Sequence, residues 1–183
     1  MTMRRLSTLC LLLTLTAAID ADAATRHHWR SHRWSAWSLS FSENGRDGSS
    51  EVYAENRAAR PIPGPSDWGA MKELVAFCRD HKAGFEIKTD GGAWGYSLLG
   101  PAYGVTYQVS GGEPVSSTWL GSDTGDTALF QGDALGFLES LPDDGVIAFT
   151  VADSFGQAHQ AAFHLRGVAA ARRLIAGACA HKY

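Results

Sequence analysis

The stretch ALFQGDALGFLESLPDDGVIAFTVADSFGQAHQAAFHLRGVAAARRLIAGAC, residues 128–179, decides the fold. It predicts a short strand, a helix, a hairpin and a closing helix. Within DALGFLESL, Ala134, Phe137, Leu138 and Leu141 recur at i, i+3, i+4 and i+7, the spacing of one helix face. Pro142 and the Asp143-Asp144-Gly145 turn stop that helix. Ile147, Phe149 and Val151 then alternate with Ala148 and Thr150, and Ala161, Phe163 and Leu165 with Ala162, His164 and Arg166. Both runs predict strands, joined at the Asp153-Ser154-Phe155-Gly156 turn. The last helix carries Val168, Ala171, Ile175, Ala178 and Cys179 on one stripe, with Arg172 and Arg173 off it.

Working outward, the upstream chain is a series of short strands. Trp37, Leu39 and Phe41 alternate with serines, and residues 51–58 form the partner across the Asn44-Gly45 and Asp47-Gly48 turn region. Residues 59–67 (ARPIPGPSD) are excluded from a sheet interior, because three prolines remove three donors. Met71 to Arg79 alternates as Leu74, Ala76 and Cys78 against Val75 and Phe77, which favours strand over helix. Strands are also expected around Phe85–Thr89, Val105–Val109 and Val115–Leu120. The total is eight or nine strands and two helices. Short strands separated mostly by turns imply a mainly β fold: an antiparallel β-sandwich or a strongly curved sheet, with two short helices over an open end or face and the second helix C-terminal.

Residues 1–23 have the layout of an export leader: Arg4 and Arg5, then Leu9 to Leu15, then Ala21-Asp22-Ala23. The apolar run is too short to span a bilayer. Residues 24–33 (ATRHHWRSHR) have no period and are expected to be a flexible lead-in, leaving 34–183 as a single domain. The two arginines and two aspartates of residues 1–23 cancel, so the remaining chain keeps the net charge of −3. With no long basic stripe, a nucleic-acid partner is not expected. Once Cys10 leaves with the leader, Cys78 and Cys179 remain, and an even count in an oxidising compartment predicts a disulfide. The alternative is two separately buried thiols.

Candidate sites are few. His27, His28 and His32 sit at a short spacing that suits copper, zinc or nickel, but in a segment without a scaffold, and no metal or cofactor is assigned to them. Asp123, Asp126 and Asp133 lack the spacing and the closing Glu of a calcium loop, so an ordinary Asp-rich turn is expected. His159 and His164, five apart on one strand, should face opposite ways. Ser154 stands beside Asp153 and upstream of His159, yet in a hairpin turn rather than a nucleophile elbow, so no catalytic residue is assigned. The aromatic residues are more suggestive. Glycines bracket rings in residues 91–104 (GGAWGYSLLGPAYG), as in an exposed binding loop, and Trp94, Tyr96, Tyr103 and Trp119 are the expected binding surface. The competing expectation is that these rings fill the ends of the sheet.

From about Leu74 to Cys179 the chain resembles small exported bacterial proteins. These are the VasI/TagO-type accessory proteins of type VI secretion and the invasion-associated locus B proteins. The resemblance rests on Ala161-Ala162-Phe163-His164-Leu165-Arg166-Gly167, on the helix from Ala170 to Cys179, and on Tyr107, Gly111 and Trp119 upstream. It implies that Cys78 partners the cysteine at the helix end, and it implies no catalytic constellation. The N-terminal part of the domain, with its prolines, lies outside it.

Together these features lead to the expectation of a non-catalytic periplasmic or secreted protein that binds a protein or cell-envelope partner, with no membrane span. The alternatives are an envelope hydrolase whose residues form no motif, and a small-molecule or metal binder. N-terminal sequencing of the protein recovered from the cell envelope should begin at or near Ala24; a chain recovered with Met1 in place would contradict the leader.

Overall fold

The computed structural model describes residues 27–29, 36–43, 50–61, 70–89, 94, 102–153 and 155–180. The leader, the turn at 44–49, most of the proline-rich segment, Tyr96 and Ser154 fall outside the described residues. The strands are β1 (His27–Trp29), β2 (Trp37–Glu43), β3 (Ser50–Arg57), β4 (Arg60–Pro61), β5 (Met71–Arg79), β6 (Lys82–Thr89), β7 (Ala102–Val109), β8 (Val115–Gly121), β9 (Thr127–Leu129), β10 (Val146–Ala152) and β11 (Ala158–His164). Helix α1 (Ala134–Ser140) interrupts the series and α2 (Val168–Ala180) follows it. All strands pair antiparallel in one sheet, in the order β1-β2-β3-β5-β6-β9-β8-β7-β10-β11-β4. Of the two expected arrangements, the structure is the strongly curved sheet.

Two segments depart from expectation. His27–Trp29, placed in the lead-in, pairs with Leu39–Phe41 as an edge strand. Arg60–Pro61, placed in the loop, pairs with Ala161 and Ala162 at the opposite edge. An edge is where a proline's missing donor is tolerated. These two short strands raise the number among the described residues above the eight or nine expected, whereas β9 stands where the short strand before α1 was expected.

One run of chain bonds to two strands that lie far apart in the sheet order, and this goes with the curl. Ala58 donates its N–H to Lys72 O of β5, and the next residue, Ala59, donates to Ala162 O of β11, both at 2.9 Å. Just before them Asn56, fully buried, donates from Nδ2 to His164 O at 2.6 Å. The sheet does not close into a barrel, yet β11 is brought against β3 and β5.

Alternation sends one set of side chains inward. Phe85 and Ile87 of β6, Val105 of β7, Ile147, Phe149 and Val151 of β10, and Ala161 and Phe163 of β11 are all buried. Helix α1 drives Phe137 into this interior, 4.7 Å from the Phe85 ring centroid, 5.1 Å from Phe130 and 5.2 Å from Tyr107. Trp119 lies beside Phe130, Phe149 and Phe85 at 5.3, 5.8 and 6.1 Å. Each such ring pair adds about 0.5–1.5 kcal/mol beyond area burial.

Both ends of α1 are satisfied by identifiable side chains. Asp133 caps its start, Oδ1 accepting from Gly136 N at 3.0 Å, and a Cβ on Gly136 would meet that carboxylate at 2.5 Å. At its end, Arg172 of α2 donates from Nε to Leu138 O (3.1 Å) and from Nη2 to Leu141 O (2.7 Å). Helix α2 itself lies against β2, β3, β5 and β6, burying Val168, Ala171 and Ile175.

Cys78 of β5 and Cys179 near the end of α2 form a disulfide, with Cα atoms 5.7 Å apart and a sequence separation of 101. Closing a loop of that length stabilises by up to about 4.7 kcal/mol in the chain-entropy model. Replacing both cysteines by serine should therefore cost roughly 2–5 kcal/mol in denaturant unfolding. A double variant as stable as the parent would show that the bridge adds nothing to the packing around it.

Candidate functional site at the β10–β11 hairpin

Of the four aromatic residues expected at a binding surface, Trp94, Tyr103 and Trp119 are inside, and Tyr96 lies outside the described residues. Trp94 and Trp119 are 0 % exposed and Tyr103 is 1 % exposed. Tyr103 and Trp119 face each other in the β7–β8 register, so both take the inner face of the pleat and their neighbours Ala102, Gly104, Thr118 and Leu120 take the outer one. Trp94 stacks edge-on against Tyr103 at 5.3 Å. The Trp94 backbone N–H and the Tyr103 hydroxyl both donate to Gly125 O, at 2.8 and 3.3 Å, while Trp119 Nε1 donates to Ser117 Oγ at 2.8 Å. These rings are core residues, not contacts.

The exposed aromatic residue lies elsewhere. Phe155, in the turn between β10 and β11, is 78 % exposed, against 47 % for Leu120, 45 % for Val115 and 39 % for Phe41. The turn that carries it is fastened from within. Asp153 Oδ1 accepts from the N–H of Phe155 (2.9 Å) and of Gln157 (2.8 Å). Its Oδ2 is 2.9 Å from His159 Nε2. The backbone adds Asp153 N to Gln157 O at 2.9 Å and Gly156 N to Asp153 O at 3.1 Å, with Gly156 at φ 78°. Burial pushes the Asp153 carboxyl up, but the bonds from His159, Gln157 and Phe155 outweigh it and hold the group below its ordinary value. The ionised carboxylate is an acceptor only, so Nε2 carries the proton in this pair. His159 is buried opposite Val151, with its ring 6.3 Å from Trp94.

An Asp–His pair of this kind orients the imidazole in acyl-transfer enzymes. Here the same carboxylate also holds two backbone amides, which makes it the centre of the turn. The structure thus joins Asp153 and His159, and Ser154 lies outside the described residues. His159 and His164 face opposite ways, one buried and one exposed, as the spacing predicts.

The remaining acidic groups serve local structure. Asp126 Oδ1 accepts from Thr124 Oγ1 at 2.6 Å and Ser122 Oγ at 2.7 Å, bonds that hold its carboxyl below the ordinary value. Asp133 is a helix cap, and Asp143 lies 3.4 Å from Arg172. Among the described residues no three His, Cys, Asp or Glu side chains are placed to hold a metal ion.

Sequence reasoning placed the turn but missed Phe155 as its exposed residue and Asp153–His159 as its fastening. The signal was present: an Asp at the end of one strand, followed at i+2 and i+4 by amides in a tight turn, is an Asx-type cap. Comparison of the chain with protein-family models, curated proteins and solved structures gives no significant match.

The depressed Asp153 carboxyl has a pH consequence. A group with a lowered folded pKa stabilises the fold above its unfolded value, near 3.9, and that contribution is lost as pH falls through the folded value. Asp153→Asn should therefore be less stable than the parent at pH 7, and the gap should narrow below about pH 4. Urea unfolding at pH 7 and pH 3 measures this. A gap that is absent at pH 7, or unchanged at pH 3, would remove the carboxylate from its assigned role.

Proposed function

We propose that the protein is a non-catalytic periplasmic or secreted protein that binds an envelope or secretion-related protein partner, and that the β10–β11 turn is its contact point. The observation that carries this reading is Phe155: a large apolar side chain, 78 % exposed, on a turn held by three hydrogen bonds to one buried carboxylate. Interface energy concentrates on a few aromatic anchors, and an anchor already fixed in place loses little entropy on binding. The leader layout and the Cys78–Cys179 bridge support an oxidising, exported setting. Among the described residues no helix is long and apolar enough to cross a membrane. The resemblance to type VI secretion accessory and invasion-associated locus B proteins fits the same setting.

An envelope hydrolase is the second reading, and its support is the Asp153–His159 pair. The two readings differ in what Phe155 does. Immobilised parent and Phe155→Asp proteins, exposed to envelope extract, should retain different proteins while melting within a few degrees of each other. Once the partner is purified, the variant should bind at least about 30-fold more weakly, the equivalent of losing about 2 kcal/mol. Equal retention by both proteins would remove the hairpin from the interface.

A further inference from the structure

Strand glycines of this sheet stand in opposite surroundings. Gly84 of β6 lies opposite Phe77 of β5, and the Phe77 ring is laid over it, so that a Cβ at Gly84 would run into the ring. Phe130 covers Gly132 in the same way. In both places a ring takes the room that the missing side chain leaves. Gly104, inside β7, has no such ring. It stands in extended backbone that any residue adopts, and among the described residues a Cβ built on it would meet no atom within 4 Å. Its neighbours across the ladders, Thr118 of β8 and Ala152 of β10, are both short and exposed. Neither turn geometry nor internal packing calls for glycine here, and glycine weakens a strand interior.

The surroundings of Gly104 are low, with apolar side chains at either end. Ala152 pairs with exposed Ala158 of β11, the last pair of the ladder before the turn that carries Phe155. On the other side Leu120, the diagonal neighbour of Gly104 on β8, is 47 % exposed. The strip Gly104–Ala152–Ala158 thus runs between two of the four large apolar side chains exposed among the described residues.

We propose that Gly104 is the seat of an aromatic side chain of the partner protein, laid over the β7 backbone as Phe77 is laid over Gly84. The proposal rests on the reading of Phe155 as a contact and adds to it what the partner must carry. A glycine inside a strand, with no reason for it in its own chain, marks a place where another molecule comes close. The occupant is a ring because a ring has a flat face that lies on bare backbone, where a Cβ would hold it off. That is the use this chain already makes of Gly84 and Gly132. Leu120 on one side and the Phe155 turn on the other then keep water from its edges, the setting in which an aromatic anchor contributes most to binding.

N-acetyltryptophanamide is the probe for the seat itself. Added to the isotope-labelled protein at up to about 20 mM and followed by NMR, it should move the Gly104, Thr118 and Ala152 amides saturably. The ring current should also shift the Gly104 Hα upfield. N-acetylleucinamide at the same concentration should leave these signals in place. Gly104→Val, which fills the seat in backbone that tolerates it, should abolish the shifts at Thr118 and Ala152 while melting no lower than the parent. Shifts centred elsewhere, equal shifts with the leucine compound, or shifts retained in Gly104→Val overturn the seat. Once a partner is identified by its dependence on Phe155, Gly104→Val should weaken its binding at least about tenfold, and Gly104→Ala by less. A partner that needs Phe155 and is indifferent to Gly104→Val overturns the seat but leaves the turn as a contact. A purified partner indifferent to Phe155→Asp overturns the reading of the turn on which the seat rests.

Discussion

Two consecutive amides set the shape of this molecule. Ala58 N–H and Ala59 N–H donate to two strands that lie far apart in the sheet order, to Lys72 O of β5 and Ala162 O of β11. An antiparallel sheet of this width has one apolar face, and among the described residues only two short helices are there to cover it. Wrapping the sheet so that its own far strands meet is the remaining way to exclude water. The fully buried Asn56, bonded to His164 O, holds the seam from the side. A buried amide nitrogen without such a partner would cost about 1–3 kcal/mol, so this bond specifies where the far strands meet.

The helices then work as one lid. Helix α1 is too short to be stable by itself. Phe137 anchors it among Phe85, Phe130 and Tyr107, and Arg172 of α2 collects its last carbonyls. In turn α2 is tied to β5 by Cys179–Cys78. Phe137 against Phe85 and Tyr107, and Cys179 with Cys78, join the C-terminal third to strands far upstream, so that third completes its packing against them. Long-range pairing of this kind places loop-closure cost early in folding, which a preformed bridge across 101 residues reduces.

What was legible in the sequence was whatever alternation and turn chemistry control locally. Strands β5, β7, β8, β10 and β11 and both helices stand where their periods predict, and the cysteine pair follows from its count. The aromatic loop misled because glycine around a ring signals a bend, while exposure is decided by pleat parity and by what lies opposite. Tyr103 and Trp119 share an inner row, and no local pattern near Trp94 points to Gly125 as its backbone partner. Arg172 was likewise read as a charge lying off the apolar stripe, since its role depends on two carbonyls more than 30 residues away. The proline of β4 was correctly kept out of the sheet interior, but the strand beside which it settles could not be named from composition.

The hairpin end remains the place where structure exceeds what the fold requires. Phe155 at 78 % exposure adds almost nothing to the core, and a polar residue there would satisfy the same turn. Around it, however, a buried carboxylate binds two amides and an imidazole, and that imidazole is packed near Trp94. Burying Asp and His together carries a desolvation cost that three good hydrogen bonds are needed to offset. A turn whose only task was to reverse the chain would not need that arrangement. Rigid support beneath a solvent-facing ring is what a contact surface needs, because every rotamer and turn conformer excluded beforehand is entropy not lost on association.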